Sequence, residues 1–165
     1  YNLAWGRDER PVVPDGIAKS IGNENTFEQD ITARDRINAE LLSLAENVGW
    51  RLRKEGLSGR TVTLKVRFSS FQTITRSTTI ADPVAIDEVI YNTAVTMINK
   101  IEIKEGIRLL GITVSNLGRR GVQLSLFDEE AQRQEKIAVV MDTLKERFGK
   151  DIIKRAGTIE WSRRE

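Results

Sequence analysis

Thr61-Val62-Thr63-Leu64-Lys65-Val66-Arg67-Phe68-Ser69 alternates without a break. Val62, Leu64, Val66 and Phe68 fall on one side of an extended chain, and Thr61, Thr63, Lys65, Arg67 and Ser69 on the other. This is a strand with one apolar and one wetted face, and it decides the fold. A sheet built on it needs helices on the apolar side only.

The flanking sequence supplies them. Ile17 to Phe27 reads as a first strand. Thr32 followed by Asp35 has the form of a capping box, and behind it Ile37, Leu41, Leu44, Ala45, Val48 and Leu52 repeat with helical spacing. That helix is expected to stop near Gly56. After a turn at Ser69-Ser70, the β-branched run from Gln72 to Ile80 forms a second hairpin strand. There Ile74 and Ile80 share a face with Arg76 and Thr78, and a bulge presenting Arg76 and Ser77 to a ligand is one way to resolve the parity. Asp82-Pro83 reads as the cap and first residue of a second helix, with Ile86, Val89, Ile90, Ala94, Met97, Ile98 and Ile101 as its apolar stripe. Leu110, Ile112 and Val114 then alternate on a fourth strand. The order β-α-β-β-α-β predicts an α+β fold, a mostly antiparallel four-stranded sheet covered on one face by two helices.

Two segments flank this unit. Tyr1 to Asp15, with Pro11 and Pro14, reads as an extended leader. Glu129 to Phe148 predicts a further helix, ended by Gly149, with Ile137, Val140, Met141, Leu144 and Phe148 as the stripe to be buried.

The composition excludes much chemistry. The 165 residues contain no cysteine and no histidine, which removes disulfides, thiolate nucleophiles and the usual neutral-pH base. No apolar run approaches the roughly 18 residues that span a bilayer. Glu24, Glu28 and Asp30 cluster near the first strand, where starting the first helix is a simpler role than holding a metal. Gly106, Gly111, Gly118 and Gly121 lack the lysine and hydroxyl of a phosphate loop. No catalytic residue and no metal site emerges.

Net charge is only +2, but the charges are segregated. From Gly59 to Ile80 the charged residues are Arg60, Lys65, Arg67 and Arg76, and from Ile107 to Gly121 they are Arg108, Arg119 and Arg120, with no acid in either stretch. Donors at every second strand position lie roughly 6.6 Å apart, the order of the spacing of DNA phosphates. Hydroxyls and cations without interleaved aromatics suit a phosphate backbone and not base stacking. A merely solvated sheet face is the alternative.

Gln123-Leu124-Ser125-Leu126-Phe127 is different in kind. A polar-led peptide closed by two large apolar residues fits neither an alternating strand nor a helical turn. It reads either as a plug for another protein's pocket or as a cover for the domain's own edge.

Several segments together resemble the C-terminal portion of the bacterial Y-family, DinB-type DNA polymerases. They are Asp8-Glu9-Arg10-Pro11-Val12, Lys19-Ser20-Ile21-Gly22 with Thr26-Phe27, and the long block Leu52 to Lys65. Phe71-Gln72-Thr73-Ile74-Thr75-Arg76-Ser77 and Ile107-Arg108-Leu109-Leu110-Gly111-Ile112 complete the set. The resemblance implies a connector from a thumb over residues 1–15 and a little finger domain over 16–117. It further implies a linker with a sliding-clamp-binding peptide over 118–128 and a helical extension over 129–165. It implies that Lys19, Ser20, Ile21, Asn23, Lys65, Arg67, Thr75, Arg76, Ser77, Arg108, Leu109, Thr113 and Ser115 approach primer–template duplex DNA. Gln123, Leu124, Ser125, Leu126 and Phe127 would bind the bacterial sliding clamp. The parent enzymes are cytoplasmic, Mg²⁺-dependent, error-prone polymerases that extend primers past damaged bases. The segment itself is expected to be a non-catalytic piece without a cofactor of its own. Departures from the family pattern are Asn23, Leu109 and Thr113 at places where relatives carry basic residues, and the long segment after the clamp peptide. From outside this resemblance, a non-enzymatic adaptor using the open sheet to bind protein is the competing expectation.

Overall fold

Strand β1 (Ser20–Ile31), helix α1 (Arg34–Lys54), strands β2 (Leu57–Phe68) and β3 (Thr73–Val84), helix α2 (Asp87–Ile98) and strand β4 (Ile107–Arg119) follow one another in the predicted order. The computed structural model describes residues 1–11, 18–119, 129–149 and 152–159. The sheet order is β1-β4-β2-β3, and every neighbouring pair is antiparallel. Each βαβ unit is thus split by a strand from the other: β4 lies between β1 and β2, and β2 between β3 and β4.

The alternation of β2 sets the core. Val62, Leu64, Val66 and Phe68 are buried, and so are Leu110, Ile112 and Val114 on β4. Against them pack Ile37, Leu41, Leu44, Ala45, Val48 and Leu52 of α1, with Ile90, Ala94, Met97 and Ile98 of α2. Gly56, at φ 63°, closes α1 in a left-handed conformation that costs a residue without Cβ little.

Several boundaries depart from the sequence-based expectation. Tyr1 to Asp15 does not run extended throughout, because Asn2–Trp5 forms a 3₁₀ turn closed by Gly6. Strand β1 runs on to Ile31, past the expected end at Phe27, and so contains Glu24, Glu28 and Asp30. Helix α1 starts after Ala33 with no side-chain cap, so the Thr32–Asp35 box is not made, and Asp35 supports the first turn through its charge. Asp82-Pro83 belongs to β3 and does not open α2. The β2–β3 ladder slips there, from Thr61↔Thr79 to Gly59↔Val84, and an edge strand tolerates the missing proline N–H. Helix α2 instead begins at Asp87, and Val89 of the expected stripe is 40% exposed.

Helix α3 (Glu129–Phe148) has the expected span, but only Met141 and, in part, Leu144 of the expected stripe are covered. Ala138 and Met141 are buried, whereas Ile137, Val140 and Phe148 are 40–58% exposed. The rotation of the helix follows its charges. Arg53 of α1, its side chain 4% exposed, donates to both carboxylate oxygens of Asp142 at 2.6 and 2.9 Å. The same guanidinium donates to Asp87 Oδ1 at 2.6 Å and to the Ala85 carbonyl at 2.6 Å. Burial opposes its charge, but the bonds to Asp142 and the field of Asp87 outweigh that and raise its pKa. Lys145 and Arg155 lie 3.6 and 3.2 Å from Glu46 of α1. A last turn, α4 (Ala156–Ile159), sits close to Leu42 of α1. The extension is therefore fastened by ion pairs to the helical layer.

Candidate nucleic-acid interface

The strand registers fix which side chains share the face that α1 and α2 leave uncovered. Thr61, Thr63, Lys65 and Arg67 of β2 stand opposite Thr79, Ser77, Thr75 and Thr73 of β3. On the other flank they stand opposite Ser115, Thr113, Gly111 and Leu109 of β4. These in turn pair with Ser20, Gly22, Glu24 and Thr26 of β1. The result is a field of hydroxyls with cations at its centre and no aromatic in register.

The hydroxyls are ordered in pairs. Thr61 and Thr79 share a hydrogen bond at 2.9 Å, and Thr63 and Ser77 one at 2.8 Å. Arg67 Nε donates to Thr73 at 2.9 Å. Asn116, at φ 54°, donates to Thr61 at 2.8 Å. A left-handed residue inside a strand is uncommon, and asparagine bears it better than most. Gly22 allows the closest approach on this face: a Cβ there would lie 2.5 Å from Thr113 Oγ1.

The expected contact residues divide. Ser20, Lys65, Arg67, Thr75, Ser77, Thr113 and Ser115 converge on the open face. Lys19 is exposed just ahead of β1. Ile21 is 2% exposed in the core, so only its backbone is at the surface side of the strand. Asn23 pairs with Ile112 and so shares the helix-side parity, and Arg76 pairs with Leu64 and does the same. Arg76 is nevertheless exposed, because β3 is an edge strand. The parity problem on β3 thus resolves by turning Ile74 and Ile80 toward the core, with the irregularity after Thr79 and not at Arg76. Leu109 has open-face parity but is only 4% exposed, which leaves its side chain little surface for a ligand. The peptide Gln123, Leu124, Ser125, Leu126 and Phe127 lies outside the described residues.

Two features go beyond the sequence reading, which named Arg108 as a contact but not its setting. Arg108 is the extra residue of a bulge, since Arg67 pairs with Leu109 but Phe68 with Ile107. Its guanidinium lies 4.8 Å from the ring centre of Phe71, which is 65% exposed at the hairpin tip with φ 66°. The tip is held by Glu105, which accepts from Ser69 Oγ, Ser70 N and Ser70 Oγ; these bonds lower its pKa. The second feature is Glu24, which lies on the open face and not at a helix start. Its Oε2 accepts from Lys65 Nζ at 2.8 Å.

No three acidic side chains converge among the described residues to hold a metal ion. No helix there is long and apolar enough to cross a membrane.

Fold and face together define a split βαβ module whose uncovered sheet is lined with hydroxyls and cations, a class of surface suited to a polyanion. Residues 18–137 match the impB/mucB/samB family C-terminal domain, and the chain belongs to that family. It is 38% identical to a DNA polymerase IV of Desulfatibacillum aliphaticivorans over 97% of this chain and 40% of that protein. It is 43% identical to the DNA polymerase IV of Streptomyces coelicolor over 71% of this chain and 24% of the relative. A third relative, DNA polymerase IV 2 of Agrobacterium fabrum, is 40% identical over 82% and 36%. The chain therefore spans well under half the length of these relatives.

Proposed function

We propose that this chain is the part of a translesion DNA polymerase that grips the primer–template duplex and ties the enzyme to a sliding clamp. One observation carries the reading. The sheet is covered on one side by two helices and left open on the other, and the open side bears paired hydroxyls around Lys65 and Arg67. Alternate residues along a strand are about 6.6–6.8 Å apart, so successive donors on β2 and β3 match the step between phosphates. With no aromatic to stack on bases, the face tracks the backbone whatever the sequence. Lys19 and Ser20 extend the same surface along β1. Gln123 to Phe127 supply the tether, which raises the local concentration of polymerase at the primer end. Phosphoryl transfer with its Mg²⁺ ions belongs to the remainder of such an enzyme, and this part binds without catalysing.

Duplex binding followed by fluorescence anisotropy over a range of salt concentrations tests the proposal. Affinity should be independent of sequence and should fall with salt by about 0.9 in log–log slope for each phosphate neutralised. Lys65→Ala with Arg67→Ala should weaken binding and flatten that slope. An affinity that ignores both salt and the two substitutions would overturn it.

A further inference from the structure

Glu24 and Lys65 do not sit on adjacent strands. Glu24 is on β1 and Lys65 on β2, and the residue of β4 in register with both is Gly111. Two strand spacings separate their backbones by about 9–10 Å, and a side chain on the middle strand would stand between them. Glycine leaves that space open, and the two charges close over it at 2.8 Å. A Cβ at position 111 would come within 3.0 Å of Glu24 Cβ and 3.6 Å of Glu24 Oε2. Among the open-face positions in register, Glu24 is the one carboxylate, and it holds the lysine at the centre of the face.

We propose that Glu24 is an intramolecular competitor for DNA phosphate at Lys65, and that the Glu24–Gly111–Lys65 arrangement sets the affinity of this face for duplex and its salt dependence. The inference rests on the duplex-gripping reading above. A phosphate that reaches Lys65 must take the ammonium from Glu24 or share it. Binding at this position therefore exchanges one anion for another, and the gain is smaller than a free cation would give. With the lysine always paired, the domain can step from one phosphate to the next without exposing an unneutralised charge. The hold on DNA stays weak and mobile.

The test uses the whole chain, anisotropy with a blunt duplex, and four proteins: native, Glu24→Gln, Lys65→Met and the double variant. Glu24→Gln keeps the shape and removes the charge. It should bind about two- to five-fold tighter at low salt, in line with the strength of the exposed ion pair that no longer competes for Lys65. Its salt slope should steepen by up to about 0.9. In the Lys65→Met background the same substitution should change affinity by less than about two-fold, because the competed cation is gone. Unchanged affinity and slope in Glu24→Gln would overturn the proposal. Equal tightening in both backgrounds would also overturn it, since the effect would then be general charge and not competition for Lys65. If no protein of the four binds duplex, the duplex-gripping reading itself falls, and the pair is a structural one.

Discussion

Replacing Arg53 by Met isolates what fastens the extension to the helical layer. The substitution keeps most of the volume but removes four hydrogen bonds at once: two to Asp142, one to Asp87 and one to the Ala85 carbonyl. It strands Asp87, whose side chain is 5% exposed, and Asp142, at 17%. Breaking a buried pair from one side costs about 3–5 kcal/mol, because the remaining charge keeps its burial and loses its partner. Arg155, 3.8 Å from Asp87, offers partial relief, which puts the expectation near the low end, about 3 kcal/mol. Asp142→Asn is the control. It leaves Arg53 with Asp87 and Ala85, so the loss should be about 1–2 kcal/mol, that of a charge-assisted bond at a partly solvated site. Urea unfolding followed by far-ultraviolet circular dichroism gives both values. Hydrogen exchange at Ala138 and Met141 should quicken in both variants, while that of β2 in Asp142→Asn stays slow. A cost under about 1 kcal/mol for Arg53→Met, or equal costs for the two variants, would refute the argument, since it would mean that the network is effectively solvated.

Gly59→Ala should destabilise by about 1–3 kcal/mol, because a Cβ there would lie 2.4 Å from Val114 Cγ1 and 2.8 Å from the Ser115 carbonyl oxygen, which belongs to backbone; thermal unfolding reads this directly. Glu46 should make stability depend on pH in a defined sense. Burial first, then the charge of Asp87, raises its carboxyl pKa against the pull of Lys145 and Arg155. A carboxyl raised in the folded state binds more protons than in the unfolded one, so its contribution is favourable at low pH and is lost as pH climbs from its unfolded value through its folded value. The stability difference between native protein and Glu46→Gln, measured by urea unfolding across that window, should therefore move in favour of the variant toward neutral pH. Leu126→Ala with Phe127→Ala should abolish most binding to a bacterial sliding clamp in calorimetry while leaving the melting temperature unchanged, because such anchors carry the buried area of a short peptide.

Much of the fold was legible because its signals are periodic. The alternation of Thr61 to Phe68 and the helical spacing of Ile37 to Leu52 each have a core face that tertiary packing has no reason to override, and both came out as read. Asp82-Pro83 misled because a helix-start signature is local, whereas the start of α2 is set by Asp87 reaching Arg53 across the helical layer. The face of α3 was read only in part for a related reason: Met141 is buried as expected, but Asp142 and Lys145 pair with α1, and Ile137, Val140 and Phe148 are left exposed. On the open sheet, Lys65, Arg67 and the hydroxyls of β2 could be placed by parity alone. Glu24 could not, since its meeting with Lys65 depends on the register of three strands and on a glycine between them. Arg108 was named among the expected contacts, but its place in a bulge and its contact with Phe71 were hidden, because the bulge shifts the alternation by one residue.

The central claim is that the open face, and not the helical layer, meets the duplex. Amide chemical-shift mapping of the isotope-labelled chain during titration with a short duplex tests it most directly. Shifts should concentrate at Ser20, Thr63, Lys65, Arg67, Thr75, Ser77, Thr113 and Ser115, and the outer surfaces of α1, α2 and α3 should stay unmoved. Shifts confined to those helices, with the β2–β3 hairpin silent, would contradict it.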